Sequence, residues 1–184
     1  MSISPLPCSR CITILGIDPG LSSTGWGVIS YSQGTKYKFI DCGILKTETQ
    51  DYLGNRLIFI YNSILGLIKK FKPDKVSIEK VFVNINPASS EKLIMARTAA
   101  FLAIVKSGYT CVEYTPNEIK KTVTGKGHGD KALVKEAIQR ILNFDVLKNH
   151  CLKTADASDA LAIALCLAIK EAENKLPIKE YKYG

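Results

Sequence analysis

What the 184 residues lack narrows the field first. No apolar run approaches the roughly 18 to 20 residues that a membrane helix needs. The longest, residues 160–169, ends on Lys170. The opening segment MSISPLPCSRC has no apolar centre of the kind a secretory leader carries, so a cytoplasmic protein is expected. Histidine is scarce, and His128 and His150 are not spaced to complete a zinc site with Cys8-x-x-Cys11. That pair reads as part of a flexible N-terminal arm, residues 1–11. The remaining cysteines, Cys42, Cys111, Cys151 and Cys166, show no framework spacing and read as buried thiols in a reducing compartment. Acidic residues are in deficit: 25 Lys and Arg against 17 Asp and Glu leave a net charge of +8. Such an excess favours a polyanionic partner, nucleic acid or a membrane face. Internal repeats are absent, and an apolar content of 46% suits one globular domain with a sizeable core.

What is present is organised around residues 12–29, ITILGIDPGLSSTGWGVI. A β-branched, apolar run ends abruptly on Asp18, Pro19-Gly20 turns the chain, and a second run returns through Gly25 and Gly27. This is a hairpin signature with a carboxylate at the tip of a buried strand. An unpaired charge there is expensive. Asp18 therefore caps a turn, holds a cation, or faces a phosphate across a metal.

Further along, residues 36–45 give a third strand, with Asp41 and Gly43 breaking its regularity. The period then changes. Leu53, Leu57, Ile60, Ile64, Leu67, Ile68 and Phe71 recur every three or four residues, which predicts an amphipathic helix over 51–71, stopped by Pro73. Residues 75–79 form a short strand that again delivers a carboxylate, Glu79, at its C-terminal end. A loop over 81–87 carries Phe82, and a helix follows over 89–106. Its Ala96, Ala99, Ala100 and Ala103 permit close helix approach, in the core or against a second subunit. A strand over 109–114 leads to Thr115-Pro-Asn-Glu118, a capping box with proline at the first helical position. The glycine-rich segment TGKGHGDK, with Lys126, His128 and Lys131, reads as a mobile loop. Asp130 caps a helix to about Leu142. Residues 143–154 form an irregular connector, and 155–173 form a helix apolar nearly all round after Asp159, hence mostly buried. Three hairpin strands followed by right-handed crossovers make a mixed α/β sheet with helices on its faces. The domain is expected to span 12–173, with a lysine-rich tail over 174–184.

Four carboxylates then need an explanation. Asp156 and Asp159 are three apart at the start of the last helix, hence on one face. Asp156 alone suits the helix dipole, but Asp159 sits one turn in, and apolar residues follow it. Asp18 and Glu79 end neighbouring strands, and sites in such sheets form outside the carboxyl ends of strands. If the four meet, like charges repel unless some protonate or cations intervene. Oxygen ligands suit Mg²⁺ or Mn²⁺ rather than zinc. Two such ions about 4 Å apart serve in-line phosphoryl displacement, one activating water and one stabilising the leaving 3′-oxygen. With the basic surface, this points to a metal-dependent nuclease.

The motifs GIDPG (16–20), SIEKVF (77–82), KKTVTGKG (120–127) and DASDALAIA (156–164) resemble, in this order, those of the RuvC-type crossover-junction endodeoxyribonucleases, the bacterial Holliday-junction resolvases. The resemblance covers about 12–169. It implies a ribonuclease-H-like mixed five-stranded sheet and Mg²⁺-dependent, symmetrical nicking of two opposed strands at a four-way DNA junction. Mn²⁺ is an expected substitute, and two ions are expected per site. It also implies a homodimer and a branch-migration motor complex as partner. Asp18, Glu79, Asp156 and Asp159 fall on the acidic metal-binding positions. Phe82 falls on an aromatic that stacks on opened bases, an interaction worth roughly 1 to 3 kcal/mol; the alternative is ordinary core packing. Lys120 and Lys131 match lysines near the scissile phosphate. Arg97 matches a family arginine and, with Lys126 in the glycine-rich loop, is a further DNA-binding candidate. Met95 and Thr98 depart from the Gln and Gly common in that segment, and His128 matches no assigned position. Competing readings are an actin- or sugar-kinase-like ATPase, an RNA-processing nuclease of the same fold, and a catalytically silent junction binder. The first would need two lobes and a second glycine-rich phosphate loop, for which the chain leaves little room.

Overall fold

β1 (Ile12–Asp18) is the central strand of a five-stranded sheet of order β3-β2-β1-β4-β5. β2 (Ser23–Ser32) and β3 (Lys36–Lys46) pair antiparallel on one side of it, and β4 (Lys75–Glu79) and β5 (Cys111–Tyr114) pair parallel on the other. The computed structural model describes residues 11–32, 36–81, 87–126, 131–143 and 154–173. The expected mixed α/β sheet of ribonuclease-H-like type is therefore present, with strand edges moved by a few residues. β2 is longer than the four residues read from its apolar run, because Ser and Thr positions pair as well as Val. β5 begins at Cys111 rather than at residue 109.

Side-chain alternation sorts the strand residues between two cores. Leu15 and Ile17 of β1, Val28 of β2, and Val76 and Ile78 of β4 face one layer, α1 (Leu53–Phe71) and α2 (Pro87–Lys106). Ile14, Ile29 and Tyr31 face the other, α5 (Ala155–Ala172). α3 (Pro116–Thr124) and α4 (Lys131–Leu142) cover α5 from outside. A helix with a sheet beneath it and helices above it has no wet face, which is why α5 is apolar nearly all round. The four alanines of α2 are buried in the other core.

β1 and β2 are glycine-bearing for a packing reason. A Cβ on Gly16 would lie 2.2 Å from the Ala160 carbonyl oxygen, and one on Gly27 would lie 2.8 Å from the Leu161 side chain. α5 thus rests on bare backbone, which fixes its height and its register over β1. At its far end the Tyr31 hydroxyl donates to Glu171 Oε2 at 2.6 Å, and the Lys75 ammonium pairs with Oε1 of the same carboxylate. The irregularity in β3 lies at Ile40, left over where Val28 faces Asp41 and Ile29 faces Phe39. Gly43 makes room for the Trp26 indole, which packs on Phe71 with ring centroids 5.6 Å apart.

The helix ends follow from their residues. α1 closes on Lys72 in the left-handed conformation (φ 44°), whose N–H bonds to the Ile68 carbonyl, just before Pro73. α3 opens on the expected capping box: Thr115 Oγ1 accepts from the Glu118 N–H at 3.2 Å, and Glu118 Oε2 accepts from the Thr115 N–H at 2.9 Å. Cys166 is a buried thiol, Cys111 a half-buried one and Cys11 an exposed one, whereas Cys42 is disulfide-bonded, contrary to its reading as a thiol. No helix among the described residues is long and apolar enough to cross a membrane.

Candidate active site

The same alternation that fills the cores aims the acids. Ile14 and Gly16 face α5, so Asp18, two residues on, faces it too. On β4, Ser77 donates its hydroxyl to the Ile163 carbonyl of α5 at 3.3 Å, so Glu79 points the same way. The parallel register pairs Ile17 with Ile78, which makes Asp18 and Glu79 next neighbours at the carboxyl edge of the sheet. α5 runs antiparallel to β1, with Asp156 over Gly25 and Ala160 over Gly16. Its first turns therefore bring Asp156 and Asp159 to that edge.

The electrostatics register the convergence. Burial, and then the negative charges of Glu79, Asp159 and Asp156, push the Asp18 carboxyl up to about 8, against a partial offset from Lys131. Burial and Asp159 raise Glu79, opposed by Lys120, Lys131 and a hydrogen bond from Asp18. Burial also raises Asp159, with Lys131 opposing and Asp156 adding to the effect. Lys131 Nζ stands 3.7 Å from Asp159 Oδ2 with most of its length in solvent. The four carboxylates and two lysines thus form one coupled group. Among the described residues no three His, Cys, Asp or Glu side chains close on one point as a finished metal cage. The donor set nevertheless fits a hard divalent cation: all its ligands are carboxylate oxygens, and their repulsion is what a cation relieves.

The other expected site residues lie elsewhere. Lys126 is exposed just beyond α3, its N–H donating to Thr124 Oγ1 at 3.1 Å. Arg97 is on the opposite side of the sheet, where Nη2 pairs with Glu113 Oε1 of β5 at 2.6 Å and the guanidinium stacks on Phe101. Phe82, His128, Asp130 and Cys8 lie outside the described residues. Sequence reasoning missed why Gly16, Gly25 and Gly27 are glycine. The available signal was their alternation, three small residues on one face of two paired strands.

A sheet of this order, with acids at the ends of β1 and β4 and on the helix that crosses them, defines a nuclease of the ribonuclease-H-like class. A family model described as crossover junction endodeoxyribonuclease RuvC matches residues 14–167. The chain belongs to that family. The RuvC of Nitrobacter hamburgensis is 43% identical over 85% of this chain and 89% of its own. That of Ruegeria pomeroyi is 40% identical over 92% and 98%. Among solved structures, Thermus thermophilus RuvC in complex with a Holliday junction substrate superposes with a TM-score of 0.81 at 26% identity, covering 89% of this chain and 97% of that one. The yeast mitochondrial Holliday junction resolvase, at 15% identity and a TM-score of 0.61, shares the fold.

Proposed function

We infer that the chain is a crossover junction endodeoxyribonuclease that resolves four-way Holliday junctions in DNA by hydrolysing phosphodiester bonds, in recombination and repair. The observation that carries this is the meeting of Asp18, Glu79, Asp156 and Asp159 at one sheet edge, in a chain whose family match spans nearly the whole domain. Enzymes of this family depend on divalent metal. For this chain we assign the four carboxylates as ligands of Mg²⁺, with Mn²⁺ as substitute and two ions per site. When bound, such ions supply an activated water and neutralise charge at the departing 3′-oxygen. The protein's own residues do the rest. β1, β4 and α5 hold the carboxylates in place, and Lys120 and Lys131 bring positive charge to the scissile phosphate. Lys126 adds backbone affinity. Arg97 takes part in DNA binding by exchanging Glu113 for a phosphate, and Phe82 stacks on bases unpaired at the crossover.

Symmetrical nicking of two opposed strands needs two such sites, so the active species in this reading is a homodimer. An apolar groove of about 360 Å³ between α1 and α2, lined by Leu57, Ile58, Ile94, Met95 and Leu102, supports it. The catalytic domain spans 12–173, between an N-terminal arm and a lysine-rich tail. A branch-migration motor as further partner and a cytoplasmic location complete the proposal.

The test is an end-labelled four-way junction with Mg²⁺, run on a sequencing gel with the wild type and Asp18→Asn. Paired nicks at symmetric positions, lost in the variant while junction binding persists, are the expected outcome. Tight binding with no cleavage by the wild type would make the chain a silent junction binder.

A further inference from the structure

The turn that follows Asp18, residues 19–22, is held from two sides. From within, the fully buried Thr24 hydroxyl donates to the Gly20 carbonyl at 2.8 Å and accepts from the Gly20 N–H at 3.3 Å. From without, Arg56, one turn into α1, donates through Nε to Thr47 Oγ1 at 2.9 Å. Its Nη2 reaches the Leu21 carbonyl and Ser22 Oγ, both at 3.3 Å. Thr47 lies just past β3 and completes the brace: its hydroxyl donates to the Leu21 carbonyl at 2.6 Å and its N–H to the Ser22 carbonyl at 3.2 Å. The Leu21 carbonyl thus accepts from two side chains, one from α1 and one from the end of β3.

This is an unusual use of an arginine. The guanidinium is a rigid fork suited to carboxylate or phosphate, yet among the described residues Arg56 is in no ion pair. It spends its donors on a turn and on the threonine that braces it. The turn is where rigidity matters. Asp18 ends β1 immediately before it, and three like charges press on that carboxylate. A loose turn would let the strand end swing away from them, and a cation would then have to draw the ligands together at its own expense.

We propose that Arg56 is a positioning residue for the metal site: with Thr47 it clamps the turn behind Asp18 and holds that carboxylate near Glu79, Asp156 and Asp159 before a cation arrives. This rests on the four carboxylates being the metal ligands. Arg56 touches neither the ion nor the reacting phosphate; it lowers the reorganisation that binding requires.

The experiment is Mn²⁺ titration of the metal-free, full-length protein by calorimetry, without DNA, for wild type, Arg56→Gln, Arg56→Lys and Thr47→Val. The expected result is a Kd for Mn²⁺ raised roughly tenfold in Arg56→Gln, a change of the size seen when groups behind metal ligands are removed. Thr47→Val should give about a threefold rise, and Arg56→Lys should fall between Arg56→Gln and wild type. The Mn²⁺ concentration for half-maximal cleavage should move by the same factors, while junction affinity in EDTA keeps its value and its salt dependence. Unchanged Mn²⁺ affinity in the folded variants overturns the proposal. So does a weaker junction affinity in EDTA with the salt slope reduced by about one, which would make Arg56 a phosphate contact. Thr47→Val removes one hydroxyl and keeps the question open to decision if Arg56→Gln does not fold. Wild-type protein that binds no Mn²⁺ removes the metal-site reading itself, before any variant is compared.

Discussion

Gly25 of β2 and Asp156 of α5 lie so close that a Cβ on the glycine would sit 2.0 Å from the Asp156 carbonyl oxygen. The obstacle is backbone, so no rotamer change relieves it, and the helix end carrying two of the acids would have to lift. Gly25→Ala should cost on the order of 1 to 3 kcal/mol, a fall in Tm of roughly 2 to 12 °C for a chain of this size. It should also weaken divalent-metal binding. Gly66, on an open face of α1 with nothing within 4 Å of its would-be Cβ, is the counter-case. There Ala should stabilise by about 0.5 to 1 kcal/mol through helix propensity. Thermal unfolding by circular dichroism decides both. If Gly25→Ala melts with the wild type, α5 is not seated on the sheet as described.

Asp18 gives the metal-free protein a definite pH dependence. Its carboxyl lies near 8 in the fold, against 3.8 as the unperturbed value. Between those limits the native state holds a proton that the unfolded chain releases. Stability is therefore greatest below about pH 4 as far as this group is concerned, and it declines as pH rises toward 8. In EDTA the wild type should lose Tm across that window, and Asp18→Asn, which carries no charge to repel, should lose much less. At pH 8 the variant should be the more stable by on the order of 1 to 2 kcal/mol while unable to cleave. Parallel pH profiles for the two proteins would remove Asp18 from the coupled group.

Arg97 and Glu113 make a nearly buried pair, with side-chain exposures of 20% and 11%. Removing one partner leaves the other charge desolvated. Arg97→Ala should lose about 2 to 4 kcal/mol, and the double variant Arg97→Met with Glu113→Gln should recover much of it. The DNA-binding role is tested in the same series. A tenfold loss of junction affinity in Arg97→Ala, absent from Glu113→Gln, supports exchange of Glu113 for a phosphate. Equal affinities for both folded variants would confine Arg97 to the sheet.

The residues that were legible in the sequence are those whose role is written in local pattern. Asp18 and Glu79 each end an apolar run, and Asp156 and Asp159 share a helix face. The Thr115 to Glu118 capping box is a four-residue signature, and the period change at Leu53 marks the shift from strand to helix. Alternation from Ile14 then fixes the face on which Asp18 lies, so half the site follows from periodicity once α5 is placed. The illegible part depends on contacts between distant segments. Gly25 and Gly27 read only as part of the returning hairpin strand, because nothing local says that a helix some 130 residues later will rest on them. Nothing in the helical pattern over 51–71 singles out Arg56, whose partners Leu21 and Thr47 lie 35 and 9 residues away. The family resemblance puts Arg97 among the DNA-binding candidates, whereas its partner across the α2–β5 packing follows only from the fold.

The α1/α2 face bears on the proposed homodimer. Ile58 and Leu102 flank its groove with 59% and 54% of their surfaces exposed, and Ile94 adds to the same patch. Burying such side chains stabilises an interface by about 25 cal/mol per Å² of apolar surface, less the cost of association. A charge at its centre would oppose that. Leu102→Glu should therefore give a monomer mass by light scattering at micromolar concentration. It should also uncouple the two incisions, so that junctions accumulate single nicks in place of paired ones. The carboxylates lie across the sheet from this face, so Mn²⁺ binding per chain should persist and separate loss of pairing from loss of the site. A Leu102→Glu protein that remains a dimer would move the interface to another surface. A wild type that is monomeric and still nicks in pairs would remove the dimer from the mechanism.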